Sequence, residues 1–284
     1  MGNRDAVLIG ATELRQLIDT GAAPAVLDVR WRLDHPDGLA EYLAGHIPGA
    51  VYVSLEDELS DHGRTGLGRH PLPTGAGVQA AARRWGIGEG QPVVVYDDWN
   101  RAGSGRAWWV LTAAGLPDVR ILDGGLGAWT AAGGDLDTGP VTPTPGDVTV
   151  RQEDLYRGAN PTVTADQIAE GSGPALLDAR APERFRGEVE PVDAVAGHIP
   201  GARNAPSTAL LADDGTFRTG AAIAALVERA GISGEPVGVY CGSGVTASVL
   251  AAALRVAGVE AALFPGSWSQ WSSQNRPVET GAAS

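Results

Sequence analysis

The sequence predicts an α/β protein made of two tandem copies of one domain, each a parallel sheet with helices on both faces. Three observations carry this expectation. Ala44-Gly-His-Ile-Pro-Gly-Ala50 recurs unchanged as Ala196-Gly-His-Ile-Pro-Gly-Ala202. Ala25-Val-Leu-Asp-Val-Arg30 returns as Ala175-Leu-Leu-Asp-Ala-Arg180, and Val93-Val-Val-Tyr96 as Val237-Gly-Val-Tyr240. Gly124 and Trp129 return as Gly266 and Trp271 at the same spacing. A period of roughly 150 residues means a duplicated domain, because solenoid repeats are several-fold shorter.

Within each copy, short apolar runs alternate with helical patterns, the signature of parallel strands with crossover helices. In the first half, Ala25–Val29, Val93–Tyr96 and Val119–Leu122 read as buried strands. Thr12–Asp19, Ala76–Trp85 and Gly105–Ala114 read as helices, the first capped by Thr12. In the second half the strands are Ala175–Ala179, Val237–Tyr240 and Ala261–Phe264. Its helices are Thr164–Glu170, Ala221–Ala230 and Val245–Val256. Pro140, Pro143, Pro145, Gly146 and Pro161 punctuate the junction. Domains over residues 1–140 and 161–284 are therefore expected, joined by a linker over 141–160.

Composition narrows the function. The 284 residues are 43% hydrophobic and 19% charged, as in globular proteins. Twenty-one basic against 34 acidic side chains give a net charge of −13, which disfavours a nucleic-acid or anionic-membrane partner. Every basic residue is arginine, so a Walker-type lysine and a Schiff-base lysine are both excluded. One cysteine, Cys241, excludes an internal disulfide and any multi-cysteine metal centre. Neither a metal nor an organic cofactor is expected. Val249–Phe264 is broken by Arg255 and Glu260, too polar to span a bilayer. Met1–Ala11 carries no signal-peptide pattern, so a cytoplasmic location is expected.

Cys241 opens the segment Cys241-Gly-Ser-Gly-Val-Thr246, between an apolar strand and an apolar helix. Open α/β sheets place their ligands at such strand ends. Gly242 and Gly244 let the backbone curl so that N–H groups converge into an anion-accepting nest. That nest and the helix N-terminus favour a thiolate, the form a sulfur nucleophile needs. A buried, inert cysteine is the alternative, but it has no need of Gly-Ser-Gly after it. A phosphatase loop would carry arginine six positions after the cysteine, where Ala247 stands. A cysteine protease has no motif in its favour. In the first half the residue after Tyr96 is Asp97, followed by the bulky Asp98-Trp-Asn-Arg101. The first domain is accordingly expected to be non-catalytic and the second catalytic.

The duplicated Gly-His-Ile-Pro-Gly-Ala, the Leu-Asp-(Val/Ala)-Arg strand ends, the Cys-Gly-Ser-Gly-Val-Thr loop and the closing Gly266-Ser-Trp-Ser-Gln-Trp271 together resemble the rhodanese family of sulfurtransferases in its two-domain form. The resemblance covers nearly the whole chain. It implies two tandem rhodanese-like domains and a cysteine that takes sulfur from a small donor as a persulfide. The acceptor would be cyanide or a thiol, such as that of a thioredoxin-like protein. The neutral Gly-Ser-Gly resembles members that use 3-mercaptopyruvate, with thiosulfate as the alternative donor. By the same resemblance Arg184 holds the donor carboxylate, and Gly242, Gly244, Val245 and Thr246 line the donor. Ser243, His70 and Glu56 would relay a proton. The second arginine such members carry before the repeated Gly-His-Ile-Pro-Gly is missing from Glu188–Val195, and Arg186 is its nearest substitute. His70 lies in a Gly- and Pro-rich loop, where a solvated histidine is the alternative. His46 and His198 recur in both halves and read as turn-forming groups. A reading of another class is a non-catalytic sulfur carrier or redox-sensing binding protein built on the same thiol.

Overall fold

The computed structural model describes residues 2–233 and 236–282. It divides into two compact units. The first comprises the chain through Asp61, Leu72–Asn160 and Ala212–Phe217; the second comprises His62–Pro71, Pro161–Leu211 and the chain from Arg218.

The first unit runs β1 (Leu8–Ile9), α1 (Ala11–Asp19), β2 (Ala25–Asp28), α2 (Leu39–Ala44), β3 (Val51–Tyr52), α3 (Leu55–Glu58), α4 (Gly75–Arg84), β4 (Val93–Tyr96), α5 (Ala102–Ala113), β5 (Val119–Leu122) and α6 (Gly125–Ala131). Among the described residues its strands form a parallel five-stranded sheet in the order β1-β5-β4-β2-β3. The second runs α7 (Ala165–Ala169), β6 (Ala175–Asp178), α8 (Pro182–Phe185), β7 (Arg203–Asn204), α9 (Gly220–Arg229), β8 (Val237–Tyr240), α10 (Thr246–Val256), β9 (Ala261–Leu263) and α11 (Ser267–Ser273). Its described strands form a parallel sheet in the order β7-β6-β8-β9.

The repeated motifs turn out to be the frame of each unit. At the end of β2, Arg30 pairs with Asp28 at 2.9 Å and also donates to the Gly45 carbonyl. At the end of β6, Arg180 pairs with Asp178 at 2.7 Å and donates to the Gly197 carbonyl at 2.7 Å. Burial alone would lower the Arg180 pKa, but the Asp178 carboxylate more than offsets this and holds it above the usual guanidinium range. The central-strand tyrosines complete the frame. Tyr96 OH accepts the Ile47 N–H at 3.0 Å, and Tyr240 OH accepts the Ile199 N–H at 3.2 Å. Burial, then the nearby Asp178 charge, raises the Tyr240 pKa well above 10. His46 Nδ1 meets the Tyr42 carbonyl and His198 Nδ1 the Phe185 carbonyl, as turn-forming groups do. Trp129 in one core, and Trp268 and Trp271 in the other, anchor the packing.

Three features depart from expectation. Helix α1 is capped by Gly10, whose backbone is extended, without a side-chain cap bond; Thr12 is already inside the first turn. The two-residue strands β1, β3 and β7 are too short for a periodicity to register. The short helices α2, α3, α6, α8 and α11 also escaped the pattern. Thr164, by contrast, forms a full capping box with Gln167 ahead of α7.

Candidate active site

All four residues of β8 are buried, and the chain leaves its carboxyl end directly into Cys241, itself 2% exposed. The turn that follows needs a glycine at 244: φ there is +81°, and a Cβ would stand 2.5 Å from the Pro265 carbonyl oxygen. This conformation aims the Gly244 N–H at Cys241 Sγ, 3.2 Å away. The loop is clamped by α11. Cys241 N–H donates to Ser267 Oγ at 3.2 Å, and that hydroxyl donates to the Phe264 carbonyl at 2.9 Å. The Cys241 and Gly242 carbonyls accept the N–H groups of Trp268 and Ser269. Ser267 holds a left-handed φ of 52°, as Gly125 does at +58° at the matching place in the first half. A non-glycine residue there carries a strain of order 1 kcal/mol, set against a bonded cysteine backbone.

Ser243 Oγ lies 2.7 Å from His70 Nδ1, and both side chains are buried. His70 belongs to the segment His62–Pro71 that clusters with the second unit, so it is not a solvated loop residue. Gly68 explains how that segment comes so near. With φ +91°, it brings the backbone to where a Cβ would stand 2.5 Å from the Gly266 carbonyl. The next residue, Arg69, donates its N–H to Ser269 Oγ at 3.0 Å.

Two guanidinium groups face the loop. Arg184, on α8, pairs with Glu190 at 2.6 Å and lies 3.8 Å from Asp193. Arg69 pairs with Asp193 at 3.0 Å. Burial would raise the Glu190 carboxyl pKa, but hydrogen bonds from Arg184 and from the Asp193 and Val192 N–H groups hold it below its ordinary value. Among the other predicted residues, Val245 is the buried cap of α10 and Thr246 its first residue. Arg186 turns to Glu188 on the surface. Glu56 lies in the first unit, where it accepts the Trp31 indole N–H at 2.7 Å. Sequence reasoning did not single out Arg69, Ser267, Glu190 or Asp193. A signal for Arg69 was its charge, beside His70.

In the first unit the matching strand end leads to a carboxylate. Asp97 accepts N–H groups from Trp99 at 3.1 Å, Arg101 at 3.3 Å and Ser104 at 3.1 Å. The Ser104 hydroxyl at 2.7 Å and the Arg101 guanidinium at 3.0 Å add to them. Donors that a ligand anion would use are thus taken by a side chain. Among the described residues no group of three acidic, histidine or cysteine side chains is arranged to hold a metal, and no helix is long and apolar enough to cross a membrane.

A cysteine-bearing glycine loop at the end of a central parallel strand, on one of two duplicated α/β domains, is an arrangement suited to a group-transfer enzyme. The model of the rhodanese-like domain matches residues 10–132 and again 161–274. SseB of Mycobacterium tuberculosis, provisionally named a thiosulfate sulfurtransferase, is 64% identical over 285 residues covering 100% of both chains. The 3-mercaptopyruvate sulfurtransferase of Escherichia coli is 38% identical over 249 residues, 84% of this chain and 85% of that one. The crystal structure of SseA from Escherichia coli superposes with a TM-score of 0.79 at 33% identity, covering 92% of this chain and 98% of that one. The chain belongs to the rhodanese family and is a sulfurtransferase of the 3-mercaptopyruvate/thiosulfate type. Such an enzyme takes a small sulfur donor and an acceptor.

Proposed function

We propose that Cys241 accepts a sulfur atom from 3-mercaptopyruvate as a persulfide and passes it to a thiol of the thioredoxin kind or to cyanide. The observation that carries this reading is the Gly244 N–H aimed at Cys241 Sγ from 3.2 Å, in a loop that ends a central strand. A fixed backbone donor favours the sulfur anion, both as attacking thiolate and as persulfide product. The thiolate attacks the donor sulfur and the carbon–sulfur bond breaks, leaving its electron pair on carbon as the pyruvate enolate. The proton of the donor thiol ends on that carbon, so the products are the Cys241 persulfide anion and pyruvate. Cyanide then attacks the outer sulfur and departs as thiocyanate, restoring the thiolate; a thiol acceptor departs as its own persulfide.

The Ser243–His70 contact supports 3-mercaptopyruvate, because only that donor needs a proton moved from sulfur to carbon. Arg184 is assigned the donor carboxylate, which suits a planar guanidinium. The Asp97 arrangement supports a first domain, over 1–140, whose own strand-end loop carries no nucleophile, and a second, over 161–284, that carries the reactive cysteine. Thiosulfate, which leaves as sulfite with no proton transfer, is the second reading, favoured by the name of the Mycobacterium tuberculosis relative. The test is kcat/KM for each donor with cyanide as acceptor. A larger value for 3-mercaptopyruvate is expected; a larger value for thiosulfate moves the assignment to the second reading.

A further inference from the structure

We propose that the first unit binds a small neutral α-amino acid in a cavity at the carboxyl ends of β2 and β4, where Arg30 takes the ligand's carboxylate and Asp34 its ammonium group. Parallel sheets of this kind place ligands at such strand ends. The cavity has a volume of about 270 Å³, which suits a metabolite smaller than a drug-sized ligand. Arg30 lines it and is only 6% exposed. Its Nε and Nη2 atoms are taken by Asp28 and the Gly45 carbonyl, whereas Nη1 has no hydrogen-bond partner among the described residues. At the same place in the second unit, Arg180 Nη1 is met by Glu190 at 3.3 Å. Both copies thus keep a buried guanidinium at this strand end, and the first leaves one edge of it open. A buried donor edge on a cavity calls for an acceptor, and a carboxylate is the natural one.

The chain after β2 builds the rest of the site. Gly38 packs so near that a Cβ would stand 2.4 Å from Arg30 Cβ, an approach that only glycine allows. Arg32 and His35 exchange backbone hydrogen bonds at 3.2 and 3.1 Å, which folds Leu33 and Asp34 into a turn and sets Asp34 on the cavity's lining. The other charges there are already matched. Arg32 pairs with Asp98 at 3.1 Å and lies over the Trp99 ring at 5.2 Å, while His35 meets Glu41 at 3.1 Å. The exposed Asp34 carboxylate forms no ion pair among the described residues. One donor and one acceptor are therefore left open. Charge selects what fills them. Two arginines against three acids leave the lining with one net negative charge when His35 is neutral. A simple anion would add to that charge, and a simple cation would leave Arg30 Nη1 unmatched. An amino acid brings a carboxylate and an ammonium group with no net charge and answers both. The site belongs to the first unit, so it does not depend on the sulfur-transfer reading.

Isothermal titration of the full-length protein with glycine, L-alanine and L-serine tests this. Saturable binding of L-alanine with a Kd of about 1 mM or tighter is expected, with the other two within about tenfold. Propionate and ethylamine each keep one of alanine's two charged groups, and each is expected to bind about tenfold more weakly or worse. Asp34→Asn alters an exposed side chain and is expected to weaken alanine binding about tenfold with an unchanged melting temperature. Arg30→Lys keeps a cation against Asp28, gives up the open Nη1 and is expected to weaken binding likewise. The place is read from the Trp31 indole N–H resonance, which borders the cavity and is expected to shift with the same saturation. The shift should persist in Cys241→Ser. A Trp31 resonance unmoved by all three amino acids would overturn the proposal. Propionate binding as tightly as alanine would make this a plain anion site and also overturn it, as would full affinity in Asp34→Asn or a loss of the shift in Cys241→Ser. Should Arg30→Lys fail to fold, the Asp34 variant and the two single-charge probes decide the matter.

Discussion

His70 Nδ1 and Ser243 Oγ stand 2.7 Å apart although 173 positions separate them in the chain. Ser243 follows Cys241 by two residues, so this contact links an imidazole to the cysteine loop. If the pair manages the donor's proton, His70→Gln and Ser243→Ala should each lower kcat with 3-mercaptopyruvate by about a hundredfold or more. With thiosulfate the loss should be much smaller, since no proton moves. Equal losses with both donors would make the pair a structural support.

The left-handed glycine of the loop gives a second prediction. Gly244→Ala sets a Cβ 2.5 Å from the Pro265 carbonyl and forces φ +81° on an L side chain. A stability loss of about 1–3 kcal/mol is expected in urea unfolding. Because the Gly244 N–H is displaced from Cys241 Sγ, sulfur loading should fall by more than the folded fraction does. Normal loading in the folded variant would remove the N–H from the mechanism.

Asp97 makes the opposite case. It fills its own loop, with three backbone N–H groups and a hydroxyl donating to it. Asp97→Ala leaves buried donors unmatched and should cost about 2–4 kcal/mol of stability. Turnover per folded molecule should be unchanged, measured below the onset of unfolding. A matching fall in kcat would mean that the first domain takes part in the chemistry.

The pH dependence follows from Glu190, whose pKa in the folded protein lies below its ordinary 4.5. A carboxyl with a depressed pKa stabilises the fold at pH values above 4.5, and the contribution is lost as pH falls through the folded value. The stability difference between the wild-type protein and Glu190→Gln should therefore be constant at neutral pH and shrink in increasingly acidic buffer below 4.5. A difference independent of pH would mean that the Arg184–Glu190 pair does not depend on charge.

Much of the fold was legible because the chain states it twice. Asp28 with Arg30, and Asp178 with Arg180, stood out as a strand-end motif repeated in both copies, and in the structure they tie each strand end to the Gly45 or Gly197 turn. Cys241 was legible for the converse reason, as an unpaired difference followed by glycines. Arg69 and Ser267 were not legible. Their roles arise from contacts across about 200 residues (Arg69 to Ser269) or from a left-handed backbone, neither of which leaves a local pattern. Asp193 was hidden differently. The sequence marks its stretch as lacking an arginine, but only the folded chain brings its carboxylate to one.

The most direct test of the central claim is intact-protein mass spectrometry of the reduced enzyme after exposure to 3-mercaptopyruvate and, separately, to thiosulfate. The account predicts a gain of one sulfur atom that is absent in Cys241→Ser and is reversed by cyanide with release of thiocyanate. The faster gain at low concentration should come from 3-mercaptopyruvate. A gain that persists in Cys241→Ser, or turnover with no gain at all, would contradict it.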